Sequence, residues 1–291
     1  MKLHAVGLTD IGNVRAENQD SFTVQTAPCS ENGNSLLAVV ADGVGGGKAG
    51  NVASKIAVET LKDIYLESAG DPHNVMRTAI ETANSLILEK SSGDELCRGM
   101  ATTCTALMVK GDTVIIGHVG DSRAYRIREG EIVRLTEDQT LPRRLFREGL
   151  ITEEEIEKHP QGHVLTNAVG SKKMIEVDIT SSEMMERDTF VLCSDGLYKY
   201  LNDEEIKGIV SDAGIEASPE KFVASAKERG GDDNITVVVV HASGDRFDKT
   251  IEILSTYEEP VQIKRSRVGW KMALGLILIV GIIAFVVGRQ L

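Results

Sequence analysis

Five stretches of this chain are apolar or β-branched almost throughout: Ser35–Ala41, Met100–Val109, Thr113–Val119, Thr189–Cys193 and Ile235–Val240. Each is short and bounded by Gly or Asp, so each reads as a strand, and several carry too little polar alternation to leave one face in water. The connections are tight: Leu107–Val119 turns at Gly111-Asp112 and Ala124–Leu135 turns at Glu129-Gly130, both dipeptides suited to hairpins. Hairpins impose antiparallel sheet rather than alternating βαβ units. Helices complete the pattern. Asp71 and Ser218 each stand before a proline, and Asn202 and Thr152 each precede a glutamate three residues on, which marks four helix starts. A further helix is expected from about Asn51 to Ser68, ending at Gly70, because Val52, Ile56, Leu61 and Ile64 repeat at helical spacing. The fold class is α+β, one layered domain over about residues 1–243.

Charge narrows the function. The 291 residues carry 32 Lys and Arg against 44 Asp and Glu, a net charge of −12, which argues against a protein that works by neutralising nucleic-acid phosphates. Hydrophobic content of 42% excludes wholesale disorder. Cys29, Cys97, Cys104 and Cys193 form no CxxC pair, so neither a disulfide framework nor a zinc site is indicated, and a reducing compartment is expected. Met1–Asp10 has no apolar core behind a basic start, so no secretory signal is expected there.

The far end differs. Met272–Gly288 is seventeen residues without a charge, roughly 25 Å of helix at about 1.5 Å per residue. A transmembrane helix over about 268–288 follows, with 244–267 as a juxtamembrane linker whose apolar stretch, Ile251–Leu254, has room for a short element. Lys264, Arg265, Arg267 and Lys271 precede the span against Arg289 after it, so the positive-inside rule puts the domain on the cytoplasmic side of the cell membrane, with lipid as a partner.

Five aspartates sit beside the apolar runs: Asp20, Asp42, Asp121, Asp195 and Asp233. One aspartate at a strand end is ordinarily a turn former. Five that converge would repel one another, so a native cluster implies cations, and all-oxygen ligands suit Mg²⁺ or Mn²⁺.

The motifs around them are Val14-Arg15-Ala16-Glu17-Asn18-Gln19-Asp20, Ala41-Asp42-Gly43-Val44-Gly45-Gly46, Gly120-Asp121-Ser122-Arg123-Ala124-Tyr125, Ser194-Asp195-Gly196 and Gly231-Asp232-Asp233-Asn234-Ile235-Thr236. In this order they resemble the protein phosphatase 2C family of metal-dependent Ser/Thr phosphatases, bacterial type, over about residues 1–243. The resemblance implies a four-layer α-β-β-α sandwich of two antiparallel sheets and a binuclear Mn²⁺ or Mg²⁺ centre. Asp42 would bridge the metals, Gly43 would ligate through its carbonyl, Asp20 would serve one metal, and Asp195 and Asp233 the other. Asp121 with Asp195 matches a third, weaker position. Arg15 matches the arginine that holds the substrate phosphate, a task for which its planar fork is suited and a lysine is not. The implied reaction is in-line attack of a metal-activated water on phosphoserine or phosphothreonine, with no covalent phosphoenzyme. Two departures stand out. Val44 occupies the place of a proposed histidine acid, and Asp138-Gln139-Thr140 replaces the usual Asp-His-Ser. Residues of about 137–165 match the family's flap, where Thr152 and Glu153–Glu155 read as a capped, solvated helix and His159 and His163 receive no role.

Competing readings are weaker. Gly45–Gly50 fits GxGxxG, but a second helix rather than a parallel strand follows the first. Lys48-Ala49 breaks the P-loop pattern, and no cysteine has an arginine six residues on. The non-enzyme alternative is a membrane-tethered pseudophosphatase that binds phosphoproteins without turnover. Expected partners are phosphorylated Ser/Thr proteins, a membrane Ser/Thr kinase and its targets among them.

Overall fold

The computed structural model describes residues 2–26, 35–46 and 49–244, and the backbone of 251–255. Its strands are β1 (Lys2–Asp10), β2 (Asp20–Thr26), β3 (Ser35–Val44), β4 (Ala101–Thr102), β5 (Cys104–Lys110), β6 (Thr113–Val119), β7 (Arg123–Arg128), β8 (Glu131–Arg134), β9 (Asp178–Glu183), β10 (Thr189–Cys193), β11 (Ile235–Ser243) and β12 (Ile251–Ser255). Its helices are α1 (Ala49–Glu67), α2 (Pro72–Gly93), α3 (Leu141–Arg147), α4 (Glu153–Glu157), α5 (Asp195–Tyr198) and α6 (Asp203–Glu228). One sheet has the order β12-β1-β11-β10-β7-β8, the other β2-β3-β5-β6-β9 with β4 on β3.

The apolar strands explain the layers. Along β3, Leu37, Val39 and Ala41 face the cluster that α1 and α2 complete, while Leu36, Ala38 and Val40 face the cluster between the sheets. Along β11, Val238, Val240 and Ala242 face that same intersheet cluster, and Val237 and Val239 face α6. A strand buried on both sides has no face on which polar positions reach water, which is why these runs lack alternation. The result is two sheets face to face with helices on the outer faces.

Both expected hairpins are present. Glu129 and Gly130 have positive φ, 51° and 81°, as such a tight turn requires. Asp71 caps α2, its carboxylate accepting from Asn74 N at 3.0 Å, and Asn202 forms a capping box with Glu205 at the start of α6. Three details depart from expectation. The break in α6 falls at Gly214 (φ 74°, ψ 174°) rather than at Ser218. A glycine takes that backbone without strain, and Pro219 then follows close behind the interruption. Strand β1 was not legible as an apolar run, since its buried residues alternate with half-buried ones. Strand β12 joins β1 in parallel, so the first sheet is not wholly antiparallel. Among the described residues no helix is long and apolar enough to cross a membrane. The span expected at 268–288 lies outside the described residues, as does most of the linker before it.

Helix α2 rests against β6 at Gly117, where an added Cβ would lie 2.5 Å from Met76 Cγ and 2.8 Å from its Sδ. Met76 is fully buried and has nowhere to retreat. Gly117→Val is therefore expected to cost about 1–3 kcal/mol, read as a lower urea midpoint; an unchanged midpoint would refute this account of the helix–sheet contact.

Candidate active site

Chain reversals at one end of the sandwich bring the five aspartates together. Asp20 opens β2 and pairs across the ladder with Asp42 at the end of β3. Asp121 follows β6, Asp195 begins α5 directly after β10, and Asp233 precedes β11. Arg15 lies in the loop between β1 and β2. A cleft of about 250 Å³ is lined by Arg15, Asp42, Gly43, Asp121, Asp195 and Asp233, and Asp20, buried, stands across the ladder from Asp42. All the residues expected from sequence thus converge on one place.

Backbone and neutral side chains hold the arrangement. Thr103 is tied to Asp42 twice, through Thr103 N to the Asp42 carbonyl at 2.8 Å and Asp42 N to Thr103 Oγ1 at 2.9 Å. Asn234 donates to the carbonyls of Ile11 and Glu17 and accepts from Gln19 N, which pins the loop bearing Arg15 to the start of β11. Gly43 allows a close approach in the site: a Cβ there would sit 2.2 Å from the Gly50 carbonyl and 2.6 Å from that of Gln19.

Asp20 is fastened from the opposite sheet. Ser194 Oγ and Thr236 Oγ1 each donate to its Oδ2 at 2.7 Å, while its Oδ1 is buried with no hydrogen-bond partner. Asp195 repeats the pattern: Oδ2 meets Lys199 Nζ at 2.8 Å and Oδ1 is buried and unpartnered. Buried carboxylate oxygens without donors are costly unless something positive serves them. Hard divalent cations fit this all-oxygen set. Among the described residues no three acidic, histidine or cysteine side chains are drawn tightly enough to hold a metal ion as they stand; Arg15 Nη2, at 2.9 Å, and Lys199 share Asp233 Oδ2 instead.

Electrostatics records the crowding. Burial, and then the charges of Asp195 and Asp233, push the Asp20 carboxyl up to about 7 despite its two hydroxyl donors. Asp42 is raised well above the usual carboxylate range by burial and by Asp20, Asp195 and Asp121. Asp121 is raised by burial and by Asp195.

The sequence departures acquire places. Val44 lines the mouth of the cleft, half exposed. Gln139 accepts from Gly120 N at 2.9 Å and donates to Asp178 at 2.7 Å, bracing the turn that carries Asp121. His163 and Leu165, from the flap, line the cleft. Sequence reasoning gave His163 no role, and no local pattern distinguishes it. Nor did it single out Thr103, Ser194, Thr236 or Lys199.

A guanidinium beside carboxylates with spare oxygens defines a class of site, one suited to hydrolysing phosphate esters with divalent cations. Comparison with known proteins makes the class specific. Residues 13–234 match the protein phosphatase 2C family. The serine/threonine phosphatase stp of Listeria welshimeri is 34% identical over 244 residues, covering 82% of this chain and 95% of that one. The structure of the S. agalactiae serine/threonine phosphatase is similar with a TM-score of 0.76 at 34% identity, covering 83% of this chain and 100% of the other. The catalytic domain of the phosphatase PstP, solved with two manganese ions, gives 0.72 at 32% identity, covering 83% and 98%. The chain belongs to the protein phosphatase 2C family and is a protein serine/threonine phosphatase.

Because ionising Asp20, Asp42 and Asp121 inside the fold is harder than in the unfolded chain, where carboxyls titrate near about 4, protonation favours the folded state. That contribution is full below the unfolded value and is lost as pH rises through the raised folded values, for Asp20 about 7. In EDTA the melting temperature is expected to fall between pH 5 and pH 8, with a shallower fall in Asp20→Asn. A flat or rising profile would contradict the assigned shifts.

Proposed function

We propose that this phosphatase works through a pair of Mn²⁺ or Mg²⁺ ions bridged by Asp42, with Asp20 and the Gly43 carbonyl serving one and Asp195 and Asp233 the other. Asp121 with Asp195 offers a third, weaker position. The observation that carries the proposal is the pair of buried, partnerless oxygens on Asp20 and Asp195; the manganese in the PstP structure supports the choice of metal. Bound there, such ions supply Lewis-acid neutralisation of phosphoryl charge and an activated water nucleophile. The chain's own residues do the rest. Arg15 leaves Asp233 to grip the phosphate with two parallel N–H bonds and orients it for in-line attack. Thr103 keeps the Asp42 backbone fixed, so the site needs little reorganisation during the reaction. Val44 has no proton to give, and the leaving serine or threonine oxygen must be protonated by another group.

The same reading covers the organisation of the chain. A catalytic domain of about residues 1–243, with its flap at about 137–165, is joined by 244–267, within which β12 pairs with β1, to a membrane span at 268–288 and faces the cytoplasm. What supports this is the uncharged run Met272–Gly288 and its basic upstream flank. A tether raises the effective concentration of phosphorylated membrane proteins, a membrane Ser/Thr kinase and its targets among them.

Phosphate release from a phosphothreonine peptide by the purified full chain is expected to require Mn²⁺ or Mg²⁺ and to stop in EDTA. It should fall by about 10² or more in Asp42→Asn, and Arg15→Ala should raise KM. Undiminished turnover in EDTA or in Asp42→Asn would overturn the metal centre. Deleting residues 264–291 should move the protein from the membrane fraction to the supernatant and slow dephosphorylation of membrane targets; unchanged fractionation would overturn the anchor.

A further inference from the structure

Lys199 stands inside the acidic cluster with no part in the chemistry described so far. Helix α5 begins at Asp195, and its single turn carries Lys199 back over that residue, with Lys199 N donating to the Asp195 carbonyl at 3.0 Å. The ammonium then lies 2.8 Å from Asp195 Oδ2 and 3.4 Å from Asp233 Oδ2. Those are the two carboxylates that the proposed function gives to one metal. The other half of the centre is built differently. Asp20 is held by the hydroxyls of Ser194 and Thr236, and among the described residues the ion pairs of the cluster fall on Asp195 and Asp233, not on Asp20 or Asp42.

A divalent cation and an ammonium cannot occupy the same carboxylate oxygens at once. We infer that Lys199 is a built-in competitor for the metal at Asp195 and Asp233, a positioning residue that holds these two carboxylates together in the metal-free protein and weakens this half of the centre. The inference rests on the reading of Asp195 and Asp233 as metal ligands. Its physical consequence is an asymmetric pair. The ion on the Asp20 and Gly43 side is retained, and the ion on the Lys199 side exchanges, because it must displace a tethered cation before it binds. The same ammonium offsets repulsion between the two carboxylates when metal is scarce, so the fold does not depend on the second ion.

The test is titration of the purified full-length chain with Mn²⁺, followed by the loss of the free-ion electron paramagnetic resonance signal, which gives stoichiometry and affinities without turnover. Three classes of site are expected in the wild type: the Asp20 and Gly43 side tightest, the Asp195 and Asp233 side next, and the Asp121 position weakest, the last identified by its loss in Asp121→Asn. Lys199→Met should tighten the middle class by about fivefold and leave the tightest class within about twofold. Lys199→Arg should bind as the wild type does, and so should Lys207→Met, whose lysine pairs with Glu204 away from the site. Melting supplies an independent readout. In EDTA, Lys199→Met should melt below the wild type, and in saturating Mn²⁺ that deficit should vanish or reverse. Should Lys199→Met fail to fold, Lys199→Gln takes its place. Equal or weaker Mn²⁺ binding by the variant, with a deficit that metal does not change, would overturn the role of Lys199 while leaving the metal centre intact. A wild type that binds no Mn²⁺, or binds it no better than Asp42→Asn, would overturn the ligand assignment first.

Discussion

Packing several carboxylates into one end of a two-sheet sandwich is the constraint on which this structure turns. Their mutual repulsion, in surroundings too dry to screen it, has to be met locally by hydroxyls, amides and cations. The carboxylate of Asp20 shows how. It belongs to one sheet, while Thr236 belongs to the other and Ser194 directly follows that sheet's β10, so the bonds that steady the acid also tie the sheets together where their strands end. Loss of order in the acidic site and separation of the sheets at that end are therefore linked events.

The surrounding framework is built to leave those carboxylates no freedom. Thr103 fixes the backbone of Asp42, Asn234 joins the Arg15 loop to β11, and Gln139 braces the Asp121 turn from the base of the flap. Each is a neutral side chain that satisfies backbone groups. A neutral framework adds rigidity without adding charge, and it leaves the balance of the cluster to Arg15, Lys199 and ions from solution. Arg15 is itself drawn into that balance, its guanidinium donating to Asp233 at 2.9 Å.

Much of the fold was legible because strong local signals agreed with the global solution. The doubly buried strands β3 and β11 announce themselves as unbroken apolar runs, and the Glu129-Gly130 and Gly111-Asp112 turns make hairpins unavoidable. Asp71 and Asn202 start helices through caps that work at the scale of one turn. What was missed depends on partners far away in sequence. Strand β1 alternates weakly and becomes a strand by pairing along its length with β11. Strand β12 is placed by its parallel pairing with β1. The break at Gly214 lost to the Ser218-Pro219 signal in sequence because a single glycine is a weaker local mark than a proline, although its freedom at positive φ decides where the chain bends.

The sequence by itself determined the class of fold, the order of its motifs and the identity of the acids and the arginine at the cleft, because hydrophobic periodicity, turn chemistry and short motifs are local properties that survive in one dimension. Only the tertiary structure decided which oxygens of those acids are satisfied and which are left open, that His163 reaches the cleft from the flap, and that Lys199 falls between Asp195 and Asp233. Those outcomes depend on where separate strands end relative to one another, and burial, Coulomb repulsion and hydrogen-bond geometry act on distances that a sequence does not contain.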